Sequence, residues 1–177
     1  YIDISGLAFD SEEDPSNLKD FSSGFSFAGW VMWKGLKRWS RVFDIGVGTD
    51  SHNLLLANNG FTSNLEINLR WGGKIRAKVN IERFIKLGTW VHITAIYSPQ
   101  DEQLKIYKNG KLEKQTSLNS FRLSEKVNRV KSFIGKSNWN HDGYFKGKMF
   151  DLRFYKRVLS EPEIKDIYEL TTDGLKK

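Results

Sequence analysis

Apolar and polar residues alternate along this chain in short runs, and turn-forming residues separate the runs where a helical protein would show a longer period. In residues 25–31 (FSFAGWV), Phe25, Phe27, Gly29 and Val31 fall on one face of an extended strand, and Ser26, Ala28 and Trp30 fall on the other. The same two-residue period runs through residues 65–71 (LEINLRW), 75–79 (IRAKV), 90–97 (WVHITAIY) and 104–106 (LKI). Between residues 104–108 and 111–114 sits Asn109-Gly110, the dipeptide best suited to the positive φ angles of a two-residue type I′ hairpin. Asn59-Gly60 and Gly72-Gly73 predict further reversals, and residues 98–101 (SPQD) a loop ahead of the hairpin. About a dozen short antiparallel strands result, and alternate burial of this kind is satisfied by two sheets packed face to face.

One helix is predicted, near the C-terminus. Ser160 supplies an N-cap, Pro162 lies in the first turn, and Glu163 is placed to complete a capping box. Leu159 is positioned to staple onto Ile164, and Ile164, Ile167, Tyr168 and Leu170 form the predicted buried face. Residues 1–172 read as one domain with no internal repeat or linker, and 173–177 as a tail.

Composition narrows the class. With 39% hydrophobic and 14% aromatic residues the chain carries enough apolar surface for a packed core, which excludes disorder. No run approaches the roughly 18 apolar residues of a membrane span, and the first ten residues lack the basic-then-apolar layout of a signal peptide. A piece of a larger protein is expected. Cysteine is absent, so disulfides, thiolate metal sites and cysteine nucleophiles are excluded, and there is no Asn-x-Ser/Thr sequon.

The net charge of +7 is unevenly spread. Residues 1–20 hold six acidic groups against one lysine, whereas residues 122–157 hold ten Lys/Arg and three acids. That basic stretch suits phosphate, sulfate or sialic acid as a partner, or else forms a solvated lysine-rich face. No recognition helix or RNA-binding motif accompanies it, so specific nucleic-acid binding is not expected.

Several segments, taken in order, resemble the laminin G-like domains of the concanavalin A-like lectin/glucanase superfamily. Residues 6–10 (GLAFD) are similar to the family's first core strand, 25–31 to the strand with a central tryptophan, and 41–46 (RVFDIG) to the strand that follows. Residues 88–97 (GTWVHITAIY) resemble the family's Trp-hydrophobic-His strand and lead into 104–111 (LKIYKNGK), a Tyr-x-Asn-Gly hairpin. Residues 133–136 (FIGK) and 144–160 (YFKGKMFDLRFYKRVLS) continue the match into the closing strand and the start of the terminal helix. The resemblance implies an all-β jelly-roll sandwich of two antiparallel sheets with one short C-terminal helix, and an extracellular or cell-surface setting. It names no ligand, because the fold hosts lectins, adhesion domains and hydrolases alike.

Catalytic constellations are missing. The family's glucanases need two carboxylates flanking the scissile bond, and no E-x-D-x-x-E pattern occurs; Glu12, Glu13 and Asp14 crowd one polar loop. His52, His92 and His141 lie in unrelated contexts, with no serine in a nucleophile elbow. His92 reads as a structural histidine near the core. The histidines are too few for zinc, while oxygen ligands for calcium abound. In some relatives the aspartate ending the first strand and one on the last strand hold calcium together, and the resemblance carries those positions to Asp10 and Asp151. Asp14 adds charge, and Asp44 and Asp50 flank a loop similar to an alternative rim site; a metal-free surface pair is the other reading.

Two segments are candidate binding loops. Residues 137–143 (SNWNHDG) combine an aromatic face with planar polar groups: Asn138, Trp139, Asn140, His141 and Asp142. Such a set suits a sugar, with C–H groups on the ring and hydroxyls on the amides, or else Trp139 simply packs down on the sandwich. Residues 33–41 alternate cations with aromatics through Trp33, Lys37, Arg38, Trp39 and Arg41, a combination that grips an anionic glycan or an acidic protein surface, or forms a solvated tip. A non-catalytic recognition or adhesion module binding carbohydrate through these loops or a sheet face is therefore expected, and a protein–protein or structural module is the alternative.

Overall fold

The computed structural model describes residues 1–5, 21–123, 127 and 129–176, without the side chains of Leu175 and Lys176. Two antiparallel sheets face each other. The first runs β1 (Ile2–Asp3), β10 (Phe133–Ile134), β3 (Arg41–Gly46), β4 (Asn53–Asn58), β5 (Leu65–Trp71) and β6 (Lys74–Ile81). The second runs β11 (Lys146–Tyr155), β2 (Phe25–Gly35), β7 (Val91–Ser98), β8 (Gln103–Lys108) and β9 (Lys111–Ser117). This is the two-sheet sandwich that the alternation predicts, and the jelly roll that the family resemblance implies.

The core lies between the sheets and draws mainly on alternate residues of β2 to β8. Phe25, Phe27, Val31 and Trp33 of β2 meet Phe43, Ile45, Leu54, Leu56, Ile67 and Leu69 of the facing sheet. Phe25, Phe27, Phe43 and Phe154 form an aromatic cluster with centroids 5.0–6.3 Å apart, close enough for the tilted packing such rings favour. Asn109 and Gly110 both adopt positive φ, at 51° and 76°, as a type I′ reversal demands, and Gly72-Gly73 turns β5 into β6 in the same way at 57° and 74°.

β2 is buried on both faces, because a helix covers the outside of the second sheet. α1 (Glu161–Thr172) starts at the N-cap Ser160 with the capping box formed. Ile164 and Leu159 pack with Ile96 and Tyr107. The predicted buried face needs one correction: Leu170 is 77% exposed, and Thr171 takes the inner position, accepting a 2.8 Å hydrogen bond from the Trp30 indole N–H. Residues 173–176 continue as one 3-10 turn. The predicted first core strand, residues 6–10, lies outside the described residues.

His92 lies 1% exposed on the same helix-covered face, between the Trp30 and Tyr168 rings at 5.3 and 5.8 Å. It is the structural histidine expected from the sequence.

Candidate functional site

The outward face of the six-stranded sheet carries side chains in rungs that cross the strands. Asp44, Leu55, Asn68 and Lys78 align across β3 to β6, Asn53, Arg70 and Ile75 form a second rung, and Ala57, Glu66 and Asn80 a third. Strict alternation puts Glu66, Asn68 and Arg70 here because Leu65, Ile67 and Leu69 point into the core.

A β-bulge supplies the first wall. The register of β3 against β4 slips between Arg41 and Phe43, so Val42 is an extra residue. Both Val42 and Phe43 then enter the core, and Arg41 shares the outward face with Asp44. Above this floor stand the β2–β3 and β10–β11 loops, and together they enclose a cleft of about 340 Å3. Trp39, Arg41, Trp139, His141 and Asp142 line its walls, with Leu55, Glu66, Asn68 and Arg70 on the floor.

Arg41 ties the two loops together. Its side chain is almost wholly buried and every nitrogen donates: Nε to Asp44 (3.4 Å), Nη1 to the Trp39 carbonyl (2.6 Å) and Nη2 to Asp142 (3.0 Å). Asp44, fully buried, also accepts from the Asn53 amide at 2.8 Å and the Asn138 backbone N–H at 3.1 Å. Asp142 also accepts from the Ser137 hydroxyl at 2.9 Å. A buried cation held by two carboxylates is a fixed post, not a free receptor.

Arg70 is differently placed. Nη2 donates to the Gly73 carbonyl at 2.7 Å and lies 3.7 Å from the exposed Asp50 carboxylate, but its buried Nε has no hydrogen-bond partner. The guanidinium carbon stands 5.3 Å from the Trp139 ring centroid, against 5.5 Å for Arg41, so both cations lie against this indole. On the neighbouring rung, the Asn68 amide nitrogen donates to Glu66 at 3.0 Å, which leaves its buried Oδ1 without a donor. Because ionised Glu66 only accepts, that amide orientation is dictated by chemistry. The cleft floor thus presents one unsatisfied donor beside one unsatisfied acceptor, an arrangement that buried groups avoid unless something else completes it.

The cleft mixes both signs. Arg38, Arg41, Arg70 and Lys78 line it with Glu66 and Asp142. Arg41 lies between Asp44 and Asp142, Lys78 is 3.9 Å from Glu66 and Arg70 is 3.7 Å from the exposed Asp50, so these charges balance with Arg38 left at the exposed rim.

The structure brings most of the candidate loop residues together. Arg38, Trp39, Arg41, Trp139, His141 and Asp142 line one cleft although the two loops are about a hundred positions apart. Trp33 does not join them: β2 runs on to Gly35, and Trp33 points inward as part of the core with no exposed surface. Lys37 stays outside the cleft and packs against Gly143. Asn138 positions the loop, through its backbone N–H on Asp44 and its amide on the Lys131 carbonyl at 2.9 Å. Asn140 is exposed on the outer side.

Asp10 lies outside the described residues. Asp151 accepts from Arg153 Nε with both carboxylate oxygens, at 3.0 and 3.1 Å, and among the described residues no group of three or more His, Asp or Glu is arranged to hold a metal ion. Sequence reasoning missed the floor, namely Leu55, Glu66, Asn68, Arg70, Ile75 and Lys78. The signal was the polar phase of residues 65–71, which also reads as ordinary solvated surface.

Comparison with known proteins agrees with this architecture. The sialidase carbohydrate-binding module CBM40 of Ruminococcus gnavus superposes with a TM-score of 0.70 at 14% identity, covering 83% of this chain and 83% of that one. The same module bound to α2,6-sialyllactose gives 0.69 at 14% identity over 94% and 90%. The binding domain of botulinum neurotoxin DC in complex with rat synaptotagmin II gives 0.61 at 13% identity, covering 90% of this chain and 38% of that one. Among curated proteins, none matches the sequence significantly. A laminin G-type family model described as the concanavalin A-like lectin/glucanases superfamily matches residues 10–165, and the chain belongs to that superfamily.

Proposed function

We propose that this chain is a non-catalytic carbohydrate-recognition module that takes a glycan bearing a carboxylate in the cleft between Trp39, Trp139 and the sheet floor. The observation that carries this reading is the buried, unpartnered Nε of Arg70 beside the Trp139 ring. A guanidinium pairs with a carboxylate in planar fashion. Asn68 Oδ1 accepts from a hydroxyl or amide N–H of the same sugar, and the Trp139 ring faces its C–H groups. A fold neighbour bound to sialyllactose supports the ligand class. The carboxylates lining the cleft support a non-catalytic role, because both are buried and already accept hydrogen bonds, Glu66 from Asn59 and Asn68 and Asp142 from Arg41 and Ser137.

Isothermal titration with α2,3-sialyllactose and with neutral lactose tests this. Saturable binding of the acidic sugar alone is expected, lost on Arg70→Ala and Trp139→Ala with thermal melting retained. Equal binding of lactose, or binding unaffected by Arg70→Ala, sinks it.

A protein ligand is the second reading, favoured by the resemblance to a toxin domain complexed with synaptotagmin. Capture of a protein that survives deglycosylation and is lost at high salt selects it over the glycan reading. Either role suits an extracellular or cell-surface part of a larger protein. Neither reading depends on calcium. Melting in calcium and in chelator decides the Asp10 and Asp151 proposal, since a bound ion raises Tm and an unchanged Tm removes it.

A further inference from the structure

The β10–β11 loop has two sides, and only one faces the cleft. On the other lies a recess of about 60 Å3 lined by Lys136, Ser137, Trp139, Asn140, Asp142 and Tyr144. Trp139 and Asp142 line both cavities and form their common wall. The recess is too small to enclose a sugar ring, but it has room for a hydroxyl or acetamido group of a ring lying across it. Beside it Tyr144 stacks on Tyr1 at 5.8 Å with 16° between the planes, yet remains 59% exposed. Tyr1, itself 69% exposed, and Tyr144 form a contiguous aromatic pair rimmed by polar groups, the kind of patch that marks an interaction site where a single scattered residue does not. Lys136 Nζ lies 4.5 Å from the Tyr1 centroid and 4.4 Å from that of Phe133, which orders a cation at the same edge. Asn140 adds an exposed amide.

An exposed ring pair, an amide and an ammonium beside a shared tryptophan wall reproduce the chemistry of the cleft without its depth. We infer that this outer ledge is a second sugar subsite: the glycan crosses the Trp139 loop, with its acidic residue in the cleft and the next neutral residue over Tyr144, Asn140 and Lys136. The inference rests on the proposed reading of the cleft. It assigns the module an oligosaccharide ligand, where a single deep site takes a terminal monosaccharide alone.

The test compares free sialic acid, as its methyl α-glycoside, with α2,3-sialyllactose on the purified chain. The trisaccharide is expected to bind about threefold to tenfold tighter, the size of one added aromatic contact. Tyr144→Ala should erase that difference and leave monosaccharide affinity unchanged, while Tyr144→Phe, which keeps the ring, should retain it. Equal affinity of the wild type for both sugars, or a preference that survives Tyr144→Ala, overturns the ledge and leaves the cleft standing. Binding of neither sugar overturns the reading of the cleft, and the ledge with it.

Discussion

Arg41 and Arg70 lie against the same indole in opposite hydrogen-bonding states, and their replacement should separate folding from binding. Arg41→Ala leaves Asp44, fully buried, and Asp142, nearly so, without their cation, a loss worth about 3–5 kcal/mol. Urea unfolding should show a midpoint lowered accordingly. Arg70→Ala removes one hydrogen bond to Gly73 and a weak contact with exposed Asp50, so stability should change by about 1 kcal/mol or less. Affinity for an acidic sugar should fall at least about tenfold in the same protein, read by titration. The sequence named Arg41 as a ligand contact because a cation beside tryptophans suggests one. Its structural role depends on the bulge at Val42, and a bulge leaves no mark in an apolar pair that also fits regular alternation. Arg70 went unnamed for the complementary reason: Glu66, Asn68 and Arg70 look like solvated polar positions, and only the loops folding over them make a floor.

The terminal helix shows how far a periodic pattern reaches at the level of one element. Its start was legible down to the capping box, since Ser160 and Glu163 act on their own backbone neighbours. Its last turn was not, because Thr171 faces inward to meet a specific partner, the Trp30 indole, whereas the more apolar Leu170 faces solvent. Thr171→Val should therefore destabilise by about 1–3 kcal/mol by orphaning a buried N–H, and Leu170→Ala should stay within about 0.5 kcal/mol in the same denaturant assay. Beneath the helix, burial lowers the His92 pKa from 6.5 to about 4, with Asp151 opposing and Arg153 adding to the shift. The unfolded chain thus takes up the proton first as pH falls. Stability is complete above about pH 6.5 and declines towards pH 4, by about 3 kcal/mol from this group alone. His92→Gln should flatten that part of a stability profile measured by urea unfolding from pH 7 to 4.

For the molecule as a whole, the sandwich was readable because each strand declares its two faces locally, and the hairpin dipeptides fix where chain direction reverses. What no local pattern declares is which outward face stays open. The helix covers β2, β7 and β8 of the second sheet, while the cleft opens on the first, and its walls come from loops far apart in the sequence. The hydrogen bond from Arg41 to Asp142 joins residues 101 positions apart, whereas β5 to β6 and β8 to β9 are closed by two-residue turns. Loop-closure entropy favours the short connections first, so the cleft, closed by the longer one, is expected to be completed after the rate-limiting step of folding. On that order a ligand has nothing to hold in the transition state. Saturating sugar should leave the refolding rate nearly unchanged and slow unfolding in proportion to occupancy, so that bound protein persists longer without being made any faster.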